Sequence, residues 1–364
     1  MIKPVTLLLT SLCTISLLAQ TRNTINIPDV LGYRTLKADL HIHTVFSDGR
    51  VWPDIRVEEA WRDGLDVIAI TDHINYKSPI IKKYLNTKDK NAHYNEAIDI
   101  ANSMGISLIK AIEYNAPGKK GHYNFFFLED INEIEVDKEN YLKAFQTAKE
   151  QGAFIQWNHP PYKQEKKDHW EDTQETLLKQ GLLDGIEIVG HTNHFNKAMQ
   201  WAEEFNLSIT SSSDIHYLID TRHEVYHRPI TLIFAKQNSI ESIKEALFQK
   251  RTLAYYQNRL IGDSLFTKAI FDASINVKYF NYFKDKNYRN IAITNNSDIP
   301  YTLTLIKSTK GYKFPKTLYI PANKTILDRV TGPKATNTSK QEAKATYRVE
   351  NISDLQNQNL EITI

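Results

Sequence analysis

The stretch Asp-Leu-His-Ile-His-Thr, residues 39–44, ends an apolar run and places two imidazoles two residues apart. Alternate side chains of a β-strand point to the same face, so His41 and His43 are expected to face one side together. Two imidazoles so placed can bind one metal ion. A lone His-x-His pair, however, is about as often structural as metal-binding. The residues that the rest of the chain places beside this pair therefore decide its role.

Further histidines and carboxylates lie at the borders of other short apolar runs. For one such histidine, a buried imidazole bonded to the backbone is the commoner explanation, but five strand ends of this kind argue against chance. Barrel enzymes carry their working residues at the carboxyl ends of the strands, so we expect these side chains to converge. The motifs are Ser47-Asp48-Gly49, Thr71-Asp72-His73, Glu113, Gly121-His122, Asn158-His159-Pro160 and Ser213-Asp214-Ile215-His216.

The ligand types limit the chemistry. Imidazole and carboxylate without thiolate suit Zn, Mn or Fe. The candidates exceed the four ligands of one tetrahedral ion, so the sequence predicts two or three divalent ions. Two ions that share a carboxylate can also share a water and lower its pKa. The resulting hydroxide can attack phosphorus in line without a Ser, Cys or Lys nucleophile.

Between about residues 34 and 260, apolar strand-like runs alternate with amphipathic helix-like runs. Repeated strand–helix order predicts an α/β fold with a parallel sheet, closed into a barrel at this length. An open doubly wound sheet is the alternative, but no Gly-x-Gly-x-x-Gly turn follows the first strand. The predicted strands are Leu36–Ile42, Asp66–Thr71, Ser107–Ile112, Tyr123–Leu128, Ala153–Trp157, Gly185–Val189, Leu207–Thr210 and Ile230–Ala235. The predicted helices include Tyr94–Met104, Tyr141–Gln151, Asn196–Phe205 and Ser239–Arg251.

After about residue 265 the pattern becomes a series of alternating strand-like segments separated by turn residues. This pattern predicts a small all-β, sandwich-like domain. We therefore expect a barrel domain over residues 21–262 and a β domain over residues 263–364. All 12 histidines lie at or before His227, which assigns the metal chemistry to the first domain. The predicted strands are Ala273–Phe280, Asn290–Thr294, Tyr301–Lys307, Thr317–Ile320, Thr325–Val330, Ala345–Val349 and Leu360–Ile364.

The first 20 residues have the features of an export signal. Lys3 precedes the apolar run Val5–Leu18, and the small residue Ala19 lies near a plausible cleavage point. We expect a periplasmic or extracellular protein without an integral membrane segment, because the run is too short to span a bilayer. Removal of the signal would remove Cys13, the single cysteine, and with it any disulfide or thiolate site. A lipid anchor on Cys13 is the alternative, although Leu12 is bulky for that role.

The formal net charge of the 364-residue chain is only +2, and the sequence has no long basic stripe. Nucleic acid is therefore not an expected partner.

Taken in order, the motifs resemble those of the PHP (polymerase and histidinol phosphatase) superfamily over roughly residues 34–260. The resemblance implies a distorted (β/α)7, TIM-like barrel with three metal ions, and a small-molecule phosphate ester as substrate. The signal and the β-rich tail are more similar to exported bacterial members grouped with organophosphate phosphodiesterases. The resemblance implies that His41, His43, Glu113 and Asp214 bind one ion, that Glu113 bridges to a second held by His122 and His159, and that Asp48, His73 and His216 bind the third. Several relatives have His where this chain has Asp48.

The predicted function is thus a metal-dependent phosphoesterase that hydrolyses phosphodiesters, with monoesters as further candidate substrates and catalytic roles for Glu113, Asp214 and His216. One alternative is a metal-dependent C–O or C–N hydrolase, since barrel metal sites serve several hydrolyses. The other is a non-catalytic, metal-binding interaction module. The sequence argues against the module, because no ligand position lacks a suitable residue.

Substrate contacts are expected from loops after the metal-bearing strands. Arg50, Arg222 and His223 are candidates to bind the phosphate, with arginine able to do so through two hydrogen bonds. Arg228 is a further candidate, and for each of these residues a solvated surface charge is the alternative.

The remaining polar residues have less specific roles. His191 and His194 are expected to contact substrate or to cap the following helix. We expect Asp72, Thr44, Ser47 and Asn158 to orient ligands or satisfy loop backbone, His93 and His169 to lie at the surface, and Phe125 to Phe127 to fill the barrel core.

Overall fold

The structure is a computed structural model that describes residues 21–75, 88–160, 162, 169–223, 227–282, 286–333 and 343–364. The predicted export signal, with Cys13, lies outside these residues. The strands of the first domain are β1 (Arg34–Ile42), β2 (Val67–Ile70), β3 (Ser107–Asn115), β4 (His122–Phe126), β5 (Phe154–Trp157), β6 (Gly185–Gly190), β7 (Asn193–His194), β8 (Ser208–Ser212), β9 (Ile230–Ala235), β10 (Thr252–Tyr256) and β11 (Arg259–Gly262). Its helices are α1 (Pro53–Arg62), α2 (Ala92–Met104), α3 (Leu142–Glu150), α4 (Asp172–Lys179), α5 (Asn196–Glu204) and α6 (Ile240–Phe248).

Strands β1 to β6 and β8 form a distorted barrel, as the sequence predicts. β1, β2 and β3 are parallel neighbours, and β5 is parallel to β6, which is parallel to β8. β8 returns to β1, where the amide of Asp214 donates to the His41 carbonyl at 2.8 Å and the amide of His43 donates to the Ile215 carbonyl at 3.1 Å. These two bonds close the sheet at the end that carries the polar motifs.

The expectation of an all-parallel barrel sheet is wrong at β4. This strand is antiparallel to both β3 and β5. The chain between Asn115 and His122 is a short connection, and a parallel crossover needs a dozen or more residues. β9 is also antiparallel, to β1 on one side and to β10 on the other.

Both faces of three barrel strands are covered. Every residue of β2, β5 and β6 is buried. Helix α2 ends at Gly105, whose φ of 70° gives the left-handed cap that the sequence indicates.

The second domain begins with a helix that the sequence analysis did not predict. α7 (Ser264–Ser274) starts where an Asp263 carboxylate oxygen accepts a hydrogen bond from the Leu265 amide at 2.7 Å. It covers the core with Phe266, Ile270 and Phe271, whose spacing is helical. The strands that follow are β12 (Ile275–Tyr279), β13 (Tyr288–Asn295), β14 (Tyr301–Ser308), β15 (Thr317–Ile320), β16 (Thr325–Thr331), β17 (Ala345–Ser353) and β18 (Asn359–Thr363).

These strands form two sheets, as predicted for a sandwich. One has the order β12-β13-β16, and the other contains β15, β14, β17 and β18. The second sheet is continuous with the barrel sheet because β17 pairs in parallel with β11, with Leu260 opposite Ile352. Within the described part of the chain, no helix is long and apolar enough to cross a membrane.

Candidate metal centre

The nine side chains predicted as metal ligands meet at one end of the barrel. His41 lies near the end of β1, Glu113 lies on β3 and His122 opens β4. The others lie in loops after β1, β2, β5 and β8, and only Asp48 and His216 are partly exposed. The loop ligands are His43, Asp48, His73, His159, Asp214 and His216.

Glu113 lies at the centre of the cluster, and both of its carboxylate oxygens face imidazoles. Its Oε2 lies 3.0 Å from His73 Nδ1, 3.3 Å from His43 Nε2 and 3.5 Å from His41 Nε2. Its Oε1 lies 3.0 Å from His122 Nδ1 and 3.3 Å from His159 Nε2. A carboxylate shared in this way is placed to bridge two ions.

Asp214 approaches the same imidazoles from β8. Its Oδ1 lies 3.0 Å from His43 Nε2 and 3.3 Å from His41 Nε2. The backbone of Asp214 has a φ of 49°, and that of His159 a φ of 28°. Positive φ costs free energy in residues other than glycine, so the surrounding structure holds these two ligands in strained conformations.

A further group of ligand atoms lies around Asp48. Its Oδ1 is 3.2 Å from His216 Nε2, and its Oδ2 is 3.6 Å from His73 Nε2. Ligand atoms of these three residues and of His43 lie within 4.8 Å of one another. The structure thus brings together the set implied for a third ion and adds His43 to it.

The donor atoms at the centre fit metal ions. His41 Nε2, His43 Nε2, Glu113 Oε2 and Asp214 Oδ1 are buried, and none of these four atoms has a well-aligned hydrogen-bond partner among the described residues. An unsatisfied buried polar atom costs about 1–3 kcal/mol. Divalent cations would satisfy all four atoms, and the imidazole and carboxylate donors suit Zn, Mn or Fe.

The charges of the cluster are strongly coupled. Burial by itself would raise the pKa of Glu113, but the charges of His73 and His41 hold this pKa well below its ordinary value. Burial also opposes ionisation of Asp214, whose pKa is nevertheless held well below its ordinary value by His41 and by the contact with His191. Burial and the charge of His216 lower the pKa of His43 to about 4. Ionised carboxylates and neutral imidazole are the forms that bind metals.

The comparison with known proteins agrees with this geometry. A family model described as the PHP domain matches residues 39–314. This chain belongs to the PHP family. A second family model, described as an Ig-like domain, matches residues 275–364. No curated protein matches the chain.

A crystal structure from Bacteroides vulgatus is similar over almost the whole chain. It is described as a two-domain protein containing a predicted PHP-like metal-dependent phosphoesterase. The two chains are 34% identical with a TM-score of 0.86, and the match covers 95% of this chain and 99% of that chain. The chain therefore has a PHP domain followed by an Ig-like domain, and its similarity to that two-domain protein extends over both.

Two other crystal structures are similar to this PHP chain over a smaller part of its length. A putative metal-dependent phosphoesterase from Bifidobacterium adolescentis is 18% identical with a TM-score of 0.39, covering 49% of this chain and 87% of that chain. A lesion-specific endonuclease from Pyrococcus furiosus is 17% identical with a TM-score of 0.42, covering 63% of this chain and 59% of that chain.

One buried carboxylate beside this PHP centre is not among the predicted site residues. Glu187 lies on β6, where its Oε1 is 3.3 Å from His41 Nδ1 and its Oε2 accepts a hydrogen bond from the His159 amide at 2.8 Å. An acidic residue inside the apolar strand Gly185–Gly190 was the available signal. A polar residue at such a position is buried at a cost unless it has a partner.

Other polar residues around the PHP cluster have the supporting roles that the sequence suggests. Asn158 Nδ2 donates to Glu113 Oε1 at 3.0 Å, and Ser47 Oγ lies 3.4 Å from His43 Nδ1. Asp72 instead supports the loop after β1, since its Oδ1 accepts from the Thr44 amide at 2.7 Å.

The residues predicted to bind substrate lie beside the cluster. Arg222 and His223 border a cavity of about 310 Å³ that Asp214 and His216 also line. The guanidinium carbon of Arg222 lies 5.2 Å from the ring centroid of Tyr217, and that of Arg50 lies 4.7 Å from the same centroid. The structure thus brings two of the three candidates to the cavity and the third to its aromatic wall.

Two expectations about polar residues are wrong. Arg228 is neither a phosphate clamp nor a solvated charge, because it is buried between Asp39 at 3.1 Å and Asp63 at 2.7 Å. His93 is not at the surface, because its buried ring bonds through Nε2 to the Ala111 carbonyl at 2.9 Å. His169 is exposed, and Phe125 to Phe127 are buried, as predicted.

Proposed function

We propose that this PHP protein is a metal-dependent phosphodiesterase that binds two or three divalent ions. The observation that carries the proposal is the position of Glu113, whose two oxygens each face a separate group of imidazoles at 3.0 to 3.5 Å. A bridging carboxylate at a barrel mouth is the arrangement that a multinuclear hydrolase requires.

The proposed ligands follow from the groups of donor atoms. His41, His43 and Glu113 form one group, His73, Glu113 and His122 form another, and His43, Asp48, His73 and His216 form a third. His159 and Asp214 join His41 in a fourth group. Bound divalent ions would lower the pKa of a shared water and take up negative charge on the phosphoryl oxygens. Mn, Zn and Fe all suit these donors.

The chain's own residues would prepare the reaction. Glu113 and Asp214 keep carboxylate charge at the centre of the site, where the surrounding imidazoles hold their pKa values low. His216 lies between Asp48 and the cavity, so it is placed at the boundary between metal site and substrate. Arg222 is placed to bind a phosphoryl oxygen or an anionic substituent, through the paired donors of its guanidinium.

A diester rather than a monoester is supported by features on two sides of the cluster. The cavity of about 310 Å³ beside Asp214 is walled by Ile215 and Tyr217 and can hold one substituent. On another side, the ring of Tyr162 lies edge-on to His122 and His159, with centroids 5.6 and 5.2 Å away, and its side chain is exposed. Aromatic surfaces on two sides would contact two ester substituents.

The test begins with elemental analysis of the purified protein, followed by assays of bis-aryl and mono-aryl phosphates with Mn, Zn and Fe. We expect at least two ions per chain, faster hydrolysis of the bis-aryl phosphate, and loss of turnover on chelation. The Glu113→Gln variant should lose both metal and turnover. Full activity after exhaustive metal removal would contradict the proposal, and hydrolysis of aryl carboxylic esters or lactams alone would assign the site to another hydrolase class.

We further propose that residues 1–20 direct export to the periplasm or the extracellular space, on the basis of Lys3 and the apolar run Val5–Leu18. Fractionation of cells that produce the full chain, with the N-terminus of the product determined, tests this proposal. A cytoplasmic product that retains residues 1–20 would contradict it.

A further inference from the structure

We infer that His191 is a positioning residue that holds the carboxylate of Asp214 in its metal-binding orientation. The effect on turnover rests on the function proposed above, whereas the effect on metal affinity does not. None of the nine predicted ligand positions includes His191, and the residue lies on a different strand connection from all of them.

His191 occupies an unfavourable backbone position. β6 and β7 form a hairpin in which Gly190 pairs with Asn193, so His191 and Thr192 are its two loop residues. His191 is the first of the two and has a φ of 54°. Tight two-residue hairpin loops demand positive φ at this position, where glycine is the favoured residue. A histidine there costs free energy that the fold could avoid with glycine.

The imidazole reaches Asp214 from this strained position. His191 Nε2 lies 2.8 Å from Asp214 Oδ2, which is within hydrogen-bond distance. The other oxygen of the same carboxylate, Oδ1, faces His41 and His43. A donor on Oδ2 fixes the rotation of the carboxylate about its last bond, and so keeps Oδ1 directed at the proposed ions.

Packing does not account for the residue. The side chain of His191 is 54% exposed, so burial of its ring contributes little to stability. Its ring is nearly parallel to that of His216, with an angle of 11° and centroids 6.5 Å apart, and it lines the same cavity. The contact with the site, rather than the stability of the hairpin, therefore accounts for a strained, half-exposed imidazole at this position.

Three substitutions separate these roles. His191→Gly removes the imidazole and suits the backbone, His191→Asn keeps a donor and tolerates positive φ, and Thr192→Ala changes the neighbouring loop residue in the same cavity. Equilibrium dialysis against Mn²⁺ and thermal unfolding of the metal-free proteins provide readouts that do not depend on activity. Hydrolysis of a bis-aryl phosphate by the Mn²⁺-loaded proteins provides the third.

We expect His191→Gly to bind Mn²⁺ about 10- to 100-fold more weakly, the range for loss of a residue that orients a ligand. Its metal-free form should unfold at the same or a higher temperature, because the strain is relieved. His191→Asn should lie between wild type and His191→Gly, and Thr192→Ala should bind Mn²⁺ as tightly as wild type. kcat should fall in parallel with Mn²⁺ affinity at subsaturating metal.

Two results would overturn the inference. One is unchanged Mn²⁺ affinity in His191→Gly, and the other is weaker affinity accompanied by a lower unfolding temperature of the metal-free protein, which would mean a merely structural role. If wild type binds Mn²⁺ but hydrolyses no phosphate ester, the proposed function fails while the affinity comparison still decides the role of His191.

Discussion

Glu187 contacts His41 on the side of the ring that faces away from the metal centre, with Oε1 of the carboxylate 3.3 Å from Nδ1 of the imidazole. Both side chains are fully buried. An ionised carboxylate can only accept hydrogen bonds, so this contact keeps a proton on Nδ1 and leaves Nε2, which faces Glu113 and Asp214, as the nitrogen that a metal ion would bind. Glu187 thus selects the tautomer of His41 that can bind a metal.

The first prediction concerns this contact. The two carboxylate oxygens of Glu187 contact His41 Nδ1 and the His159 amide, one each. In Glu187→Gln, the side chain has a single oxygen and cannot accept hydrogen bonds from both donors. One donor would lose its acceptor, and we expect Mn²⁺ or Zn²⁺ affinity to fall about 10- to 100-fold, as for other residues that orient ligands. Equilibrium dialysis measures this change.

Asp184 provides a matched control for Glu187. It precedes the amino end of β6 and bonds to Lys149 Nζ at 2.7 Å and to the Ile155 amide at 2.7 Å, away from the metal ligands. Asp184→Asn should lower stability without changing metal affinity. Equal losses of affinity in the two variants would show that loss of a carboxylate on or next to β6 disturbs the site whatever its contacts, and would contradict the assigned role of Glu187.

The second prediction concerns the buried ion pair between Arg228 and Asp39. Asp39 accepts from Arg228 Nη1 at 3.1 Å and from Ser213 Oγ at 2.6 Å, next to the ligand Asp214. Arg228→Met leaves Asp39 buried without its cation, and removing one partner of a buried pair typically costs about 3–5 kcal/mol. We expect that loss in the free energy of unfolding, measured by urea denaturation.

Arg62→Met is the control for that measurement. Arg62 pairs with Asp220 at 2.7 Å and with Asp63 at 3.3 Å, and the side chains of Arg62, Asp220 and Asp63 are 33%, 73% and 25% exposed. Exposed pairs contribute about 0–1 kcal/mol, so this variant should remain close to wild type. A loss below 1 kcal/mol in Arg228→Met would mean that the pair with Asp39 is not required for the stability of the barrel.

The third prediction concerns the effect of pH on the free energy of unfolding through His223, which lines the cavity. Burial, followed by the charge of Arg228, lowers the pKa of His223 to about 4. The pKa of histidine in an unfolded chain is about 6.5. Between these values the unfolded state binds a proton that the folded state does not, so stability is lost as the pH falls from about 6.5 to about 4.

Replacement of His223 by Asn should make the free energy of unfolding depend less steeply on pH in this window, with no change in the pH dependence above pH 7. Urea denaturation of the metal-free protein at several pH values measures the slope. The exposed His169, replaced in the same way, is the control. An unchanged slope in His223→Asn would contradict the assigned cause.

Local sequence patterns predicted that the nine candidate ligands converge, but they did not predict every element of the fold around them. Alternation of His41 and His43 and the position of polar residues at strand ends depend only on local periodicity, which the chain displays directly. The predicted direction of β4 relative to β3 was wrong because a short connection interrupts the strand–helix alternation there. The length of a connection decides whether the next strand can run parallel to the previous one. Helix α7 was missed because its few turns lie at the border of a long series of strand-like segments.

Local sequence patterns could not predict contacts between side chains that are far apart in the chain. Arg228 lies 189 residues from Asp39, and Glu187 lies 146 residues from His41. The sequence shows that each of these residues is charged, but only the closed barrel shows that each is buried against a specific partner. The same holds for His191, whose approach to Asp214 depends on the hairpin that β6 forms with the two-residue strand β7.

The fourth prediction is that metal binding stabilises the folded barrel. Glu113 and Asp214 are buried beside imidazoles whose Nε2 atoms lack aligned partners, so the folded metal-free protein contains polar atoms that bound ions would satisfy. Ions that bind only the folded state stabilise it by about 2.7 kcal/mol at 100 times their dissociation constant. Thermal unfolding in chelator and in stepwise additions of Zn²⁺ or Mn²⁺ should therefore show a rising midpoint.

The Glu113→Gln variant should lack most of this rise, because the bridging charge is gone, whereas Arg62→Met should show the full rise. A wild-type midpoint that does not change with metal concentration would mean that the converging imidazoles and carboxylates do not bind these ions in the folded protein.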